Sequence, residues 1–292
     1  MKFIEVLERV PEYAEESLKH CARVGDDFDN VLITGMGGSG VVGSILQEFL
    51  YDRLNKPIVV SKSPLVPRFC NERTLHLLIS YSGNTAETLS AFESSRGKKI
   101  CITSGGTLAG MSDNVIKVPG GFLPRQALYH MLIPALGLFY DPPAEIPAWL
   151  RKTREQREEA RRMARKIGDR TPLIYGAHPF SSLALRFKQQ INENCKTRAF
   201  FNCFPEMNHN EIESFHNSFR DYIAVSINGC EESLDVIRER CDALVFELYG
   251  DDELEKLFRG LYFIDLVTCY LAELRGVDPA AMPNIDRLKA KR

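Results

Sequence analysis

The stretch Ile33-Thr34-Gly35-Met36-Gly37-Gly38-Ser39-Gly40 (ITGMGGSG) follows Val31-Leu32 and runs into Val41-Val42-Gly43-Ser44-Ile45-Leu46. Residues 30–34 form an apolar run of strand length, and the pattern after the glycines is helical. A strand that enters a helix through glycines makes an anion site. Backbone N–H groups can approach the anion, and the helix N-terminus adds its positive end. The segment contains Gly-x-Gly-x-x-Gly, which alone leaves a dinucleotide and a smaller phosphate ester both open. A nicotinamide site expects an acid near the end of the second strand, where this chain reads Val60-Ser61-Lys62-Ser63. Lys62 could accommodate a 2′-phosphate, so a NADP-dependent oxidoreductase stands as an alternative. A Walker loop is excluded, because no Gly-Lys-Ser/Thr follows the glycines.

Working outward, residues 57–62, 75–80, 98–103 and 114–119 are further strand candidates, with helical patterns between several of them. Such alternation predicts a parallel sheet covered on both faces. A helix is predicted over 124–140, with Pro124 in its first turn. The segment 141–149 (DPPAEIPAW) is rich in proline and marks a boundary, giving subdomains 1–145 and 146–292. Residues 151–170 read as one charged, solvated helix with pairs such as Arg154–Glu158 and Glu158–Arg162. The second half repeats the alternation. Strands are predicted at 172–176, 199–204, 222–227 and 243–249, and helices at 179–194, 209–216, 231–241 and 252–275. TPLIYGAHPFSSLALRFKQQ is a degenerate echo of NVLITGMGGSGVVGSILQEF. The expected fold class is therefore α/β, with two similar flavodoxin-like or Rossmann-like αβα sandwiches built on parallel sheets.

Composition narrows the partners. The 292 residues are 44% hydrophobic and 26% charged, with a net charge of -2. That balance gives no global attraction to nucleic acid. No apolar run reaches the ~18 residues of a membrane span, and the polar N-terminus does not read as a signal peptide. A cytoplasmic protein is expected. Eight cysteines are scattered without a Cys-x-x-Cys pair, which argues against a disulfide framework or a zinc site.

A second loop, ISYSGNTAET (79–88), follows the 75–80 strand. Ser80, Ser82, Asn84, Thr85 and Thr88 crowd around Gly83 at the start of a helix. Capping by Asn84 or Thr85, with Glu87 reaching back, explains one or two of them. It leaves Ser80 and Ser82 unassigned, whereas hydroxyls and backbone amides at a strand end that opens a helix suit a phosphate monoester. A third loop, TSGGTLAG (103–110), closes the same sheet edge. Together GMGGSG and SYSGNTAET resemble the sugar isomerase (SIS) domain. The order of these loops with PRQAL, NENCK, FPEMNHNEIESF and NIDRLK resembles the bifunctional phosphoglucose/phosphomannose isomerases from about residue 30 to the end.

The resemblance implies SIS-type subdomains and a cofactor-free, metal-free aldose–ketose isomerase. It would act on glucose 6-phosphate, fructose 6-phosphate and mannose 6-phosphate through an enediol. Phosphate binding is expected at Gly38, Ser39, Ser80, Ser82 and Thr85. From the residues alone, Glu193 is an exposed carboxylate near a helix end, sharing a face with Arg186. The resemblance makes it the base that forms the enediol, and makes Arg125 the stabiliser of the enediolate. His209 and Lys289 would open the sugar ring, with His209 reaching the neighbouring site of a homodimer. His76 and His130 sit in apolar contexts and read as structural. Met282 stands where the dual-specificity enzymes are expected to carry threonine, so glucose/fructose activity should survive more easily than mannose activity. A non-catalytic phosphosugar-binding regulator is the other alternative. It is disfavoured because only about thirty residues precede the first strand. A glutamine-dependent amidotransferase lacks the cysteine expected after Met1.

Overall fold

A computed structural model describes residues 2–217 and 220–291. Along the chain it contains α1 (Phe3–Glu8), α2 (Val10–Leu18), β1 (Asn30–Gly35), α3 (Gly37–Phe49), β2 (Ile58–Ser61), β3 (Thr74–Ile79), α4 (Ala86–Ser94), β4 (Lys98–Thr103), α5 (Gly106–Met111), β5 (Val115–Lys117) and α6 (Leu128–Gly137). There follow α7 (Ile146–Glu155), α8 (Arg157–Ile167), β6 (Thr171–Ala177), α9 (Ser181–Asn194), β7 (Phe200–Phe204), β8 (Tyr222–Ile227), α10 (Glu231–Arg238), β9 (Asp242–Phe246), α11 (Glu253–Leu274) and α12 (Pro283–Lys289). Two compact units divide the chain: Arg9–Ala148, and Trp149–Arg292 together with Met1–Glu8. Residues 2–8 thus belong with the distant half of the sequence, which no linear reading of a proline-rich boundary supplies.

The Arg9–Ala148 unit is built on a five-stranded parallel sheet in the order β2-β1-β3-β4-β5. The central β1 and β3 are almost entirely buried. That explains their apolar runs, since a parallel strand covered on both faces loses the usual alternation. Pairing Val31 with Leu75 and Ile33 with Leu77 puts the glycine loop and the serine loop side by side at one sheet edge. The predicted helix over 124–140 is shorter than expected. Residues 124–127 form a turn in which the Gln126 side chain accepts from the Leu123 amide (3.1 Å), and α6 begins only at Leu128.

The other unit has a four-stranded parallel sheet in the order β7-β6-β8-β9. Its centre is α11, a 22-residue helix that is buried along nearly its whole length and packs on α8 and α9. A helix apolar on most sides belongs inside a core. Its start is capped: Asp252 accepts from the Glu255 amide (2.8 Å) and Glu255 from the Asp251 amide (3.0 Å). Helix α1 joins this core through the Tyr262 hydroxyl, which donates to the Leu7 carbonyl (2.8 Å), and through the Arg157–Glu8 pair (3.2 Å).

Two expectations fail locally here. The 151–170 helix is broken at Gln156, whose backbone leaves helical geometry, and Glu158 is paired with Arg161. The helix predicted over 209–216 is instead two short 3₁₀ turns, Glu206–His209 and Glu211–His216. Between them Asn210 adopts φ -154°, ψ -67° and bonds the Glu211 amide with its own side chain (2.6 Å).

Candidate active site

The order of the five-stranded sheet reverses between β1 and β3. In open parallel sheets ligands bind beyond the C-terminal ends of the strands at such a reversal. Here β1 ends in the glycine loop and β3 in the serine loop. Ser39, 5% exposed, ties them together: its hydroxyl accepts from the Tyr81 amide (3.2 Å) and donates toward the Met131 sulfur (3.6 Å). The Ser39 amide is bonded to the Met36 carbonyl (3.1 Å). The hydroxyl and the amide of Ser39 are therefore committed within the protein.

The serine loop is arranged differently. Ser80 is buried and donates its hydroxyl proton to Thr85 Oγ1 (3.0 Å), which leaves the Thr85 proton free to donate outward. Ser82 is exposed, and its oxygen accepts from the Asn84 amide (3.3 Å), so its proton is also available. Thr85 occupies the N-cap position of α4 but makes no capping hydrogen bond. Asn84 turns instead to the third loop, accepting from the Thr107 amide (2.9 Å) and hydroxyl (3.1 Å). Helix capping therefore does not account for these side chains. The second and third loops interlock: Ser104 donates to the Tyr81 carbonyl from its amide (2.9 Å) and hydroxyl (2.7 Å). Gly83, at φ +68°, lies so close to the Gly105 carbonyl that a Cβ there would collide with it.

Arg125 belongs to the same edge. A Cβ on Gly38 would stand 3.2 Å from the Pro124 carbonyl and the Arg125 amide. The bare glycine thus lets the 124–127 turn lie against the phosphate-type loop. Arg125 is 1% exposed, and a buried guanidinium is costly unless it is met by charge or hydrogen-bond acceptors.

Glu193 lies on the last turn of α9, in the other unit. A buried polar ladder fixes this helix. Arg186 pairs with Asp265 (3.0 Å), Gln190 bonds the same Asp265 oxygen, and Asn194 donates to the Thr268 hydroxyl (3.0 Å). With those residues turned to α11, Glu193 is half-buried on a cleft of about 570 Å³. Lys196, Arg198, Met282, Pro283 and Ile285 share its lining. The chain near its C-terminus folds back to make this cleft, and the Lys196 ammonium bonds the carbonyls of Glu193 and Pro279. Met282 and Glu193 thus line one cleft despite their long sequence separation. Lys289 does not line the cleft and sits exposed on α12.

His209 is exposed at the end of the first 3₁₀ turn, while its neighbours are all fastened. Met207 is fully buried in the core cluster of this unit. Asn208 accepts from the Ser233 hydroxyl (2.9 Å), and Asn210 donates to Glu206 Oε1 (2.8 Å). Glu211 accepts from the Tyr175 hydroxyl (2.8 Å) and from Asn202 Nδ2 (2.7 Å). Sequence reasoning passed over Glu211. The signal available was Tyr175, a tyrosine inside a buried strand whose hydroxyl needs a partner.

His76 and His130 are buried, as expected of structural residues. His76 Nε2 is 2.9 Å from the Thr34 hydroxyl, and burial, helped by Lys99, lowers its pKa to about 4. Ser17 donates to the Tyr13 carbonyl (2.6 Å), so it accepts from His130 Nδ1–H at 2.9 Å. Burial lowers the His130 pKa as well. Among the described residues no group of three or more His, Cys, Asp or Glu is placed to hold a metal ion, and no helix is long and apolar enough to cross a membrane.

These features can be set beside known proteins. Residues 156–291 match the family described as the bacterial phospho-glucose isomerase C-terminal SIS domain. The bifunctional phosphoglucose/phosphomannose isomerase of Thermoplasma volcanium is 37% identical over 279 residues, covering 90% of this chain and 91% of the relative. The protein of the same name from Thermoplasma acidophilum is 35% identical over 284 residues, covering 90% of each. Among solved structures, tagatose-6-phosphate ketose/aldose isomerase from Escherichia coli superposes with a TM-score of 0.74 at 16% identity, covering 96% of this chain and 95% of that one. That last likeness speaks for the fold alone. With 37% identity along nine-tenths of both sequences, the chain belongs to the bifunctional phosphoglucose/phosphomannose isomerase family.

Proposed function

We propose that this protein is an aldose–ketose isomerase that interconverts glucose 6-phosphate and fructose 6-phosphate, and also acts on mannose 6-phosphate. The observation that carries the reading is the serine loop. It presents the Ser82 and Thr85 hydroxyl protons at the β1/β3 reversal, with no capping role to occupy them. Hydroxyl protons and helix N–H groups suit the dianionic end of a hexose 6-phosphate. Gly38, Ser82 and Thr85 hold the phosphate, Ser80 serves the same loop by aiming the Thr85 hydroxyl, and Ser39 joins the two loops.

Glu193 removes the proton from C2 of the aldose and returns it to C1, passing through an enediolate. Arg125 neutralises the charge that develops on the enediolate oxygen. His209 and Lys289 open the ring before that step, and His209 serves the neighbouring site of a homodimer. Its exposure on an otherwise fastened segment supports that assignment. For Lys289 the support is its place in NIDRLK; it must approach the sugar from the exposed face of α12. Met282, on the Glu193 cleft, bears on the choice between glucose and mannose epimers. The chemistry needs no metal, and the protein works in the cytoplasm.

A Glu193→Gln variant tests the assignment. Isomerisation should fall by about 10³-fold or more while fructose 6-phosphate still binds, because the amide keeps the shape but cannot take a proton. Full activity in this variant would reject the base. Assays with glucose 6-phosphate and mannose 6-phosphate side by side, with EDTA present, should show turnover of both. Loss of activity to the chelator would overturn the metal-free mechanism.

A further inference from the structure

The segment carrying His209 is not a regular helix, so its geometry must come from side-chain anchors. Glu211 is the strongest of them. Its two oxygens are held separately, one by the Tyr175 hydroxyl from β6 (2.8 Å) and the other by Asn202 Nδ2 from β7 (2.7 Å). The Asn202 amide is itself oriented, since its oxygen accepts from the Cys203 N–H (2.8 Å) and its nitrogen must therefore face Glu211. Tyr175 is fully buried, and burial together with the Glu211 charge raises its pKa, so the hydroxyl stays a donor. Asn210 closes the link by accepting from the Glu211 amide (2.6 Å) while its Nδ2 holds Glu206.

We infer that Glu211 is a positioning residue for ring opening: clamped to the sheet by Tyr175 and Asn202, it sets the place and direction of His209 two residues away. This deepens the proposed function and rests on its reading of His209. A bound carboxylate is suited to the task. It accepts two donors from two neighbouring strands at once, and the 3₁₀ turns on either side leave little slack between it and the imidazole. Glutamine in its place would keep the Tyr175 bond but set an NH₂ group against the Asn202 NH₂ group.

The test is a double-mutant cycle on turnover of glucose 6-phosphate to fructose 6-phosphate. Glu211→Gln in the parent enzyme should lower kcat by roughly 10–100-fold with KM within about threefold, since the group acts on a step and not on phosphate binding. The same substitution in a His209→Ala background should change kcat by less than about twofold, because the residue it acts through is gone. Tyr175→Phe removes one arm of the clamp without touching Glu211. It should show a smaller loss that likewise vanishes in the His209→Ala background, and it decides the matter if Glu211→Gln does not fold. An equal cost in both backgrounds makes Glu211 a merely structural residue and overturns the inference alone. Parental activity in His209→Ala overturns the ring-opening reading, and the inference with it.

Discussion

His76 lies in the middle of β3, one strand from the glycine loop, and titrates far from its ordinary range. The native protein holds it neutral until about pH 4, whereas in the unfolded chain it takes up a proton near its ordinary 6.5. Between those values the unfolded state binds more protons, so stability falls as pH falls through that window and is fully present above it. The gap corresponds to about 3 kcal/mol at most. Urea unfolding at pH 7 and at pH 4.5 should show a larger loss for the parent than for His76→Gln, by up to about 2.4 kcal/mol. Equal losses would mean that His76 is not the group. Other residues behave less simply. Ser39 and Ser80 read alike in sequence, as small hydroxyls in phosphate-type loops, yet Ser39 is spent on joining loops and Ser80 on aiming Thr85. Residue type alone does not tell a ligand from a strut, because that depends on which donor is already committed.

At the scale of elements, the parallel strands were legible because burial on both faces leaves continuous apolar runs, as in 31–33 and 75–79. The glycine and serine loops were legible for a related reason: glycine and clustered hydroxyls have few other uses at a strand end. The 206–216 segment was not legible. Its local pattern is helical, and the bonds from Tyr175, Asn202 and Ser233 that override it come from residues outside the segment. At the Gln156 break the Arg259 guanidinium reaches the Gln156 side chain (3.4 Å), whereas the start of α6 is set locally by Gln126 and the Leu123 amide. Helix α11 marks the opposite case: a long helix over 252–275 is predicted, and the structure buries it along nearly its whole length. Phe258 on it is fully buried, so Phe258→Ala should cost about 3–5 kcal/mol by calorimetry or denaturant unfolding. A cost below about 1 kcal/mol would mean that α11 is not the keystone of its unit.

For the whole molecule, each sheet repeats one plan: a central first strand, the next strand on one side and later strands on the other. The two copies have diverged in what they carry. One bears the hydroxyl loops and Arg125; the other bears Glu193, Met282 and His209. The proposed reaction makes His209 a gift to a second copy of the chain. That last feature is open to a test that no single variant provides. In a two-fold dimer with shared sites, a Glu193→Gln subunit lacks its own base but still offers His209 to its partner. A His209→Ala subunit keeps its base and needs the imidazole that the first one brings. Each variant alone should be nearly inactive. If the two are mixed, unfolded and refolded together, half the dimers are mixed, and one of the two sites in each mixed dimer is intact. Activity should return to about a quarter of the parent's. If His209 serves the site of its own chain, every site in the mixture lacks one group or the other. No activity then returns beyond the sum of the separate variants, and the shared-site dimer is ruled out.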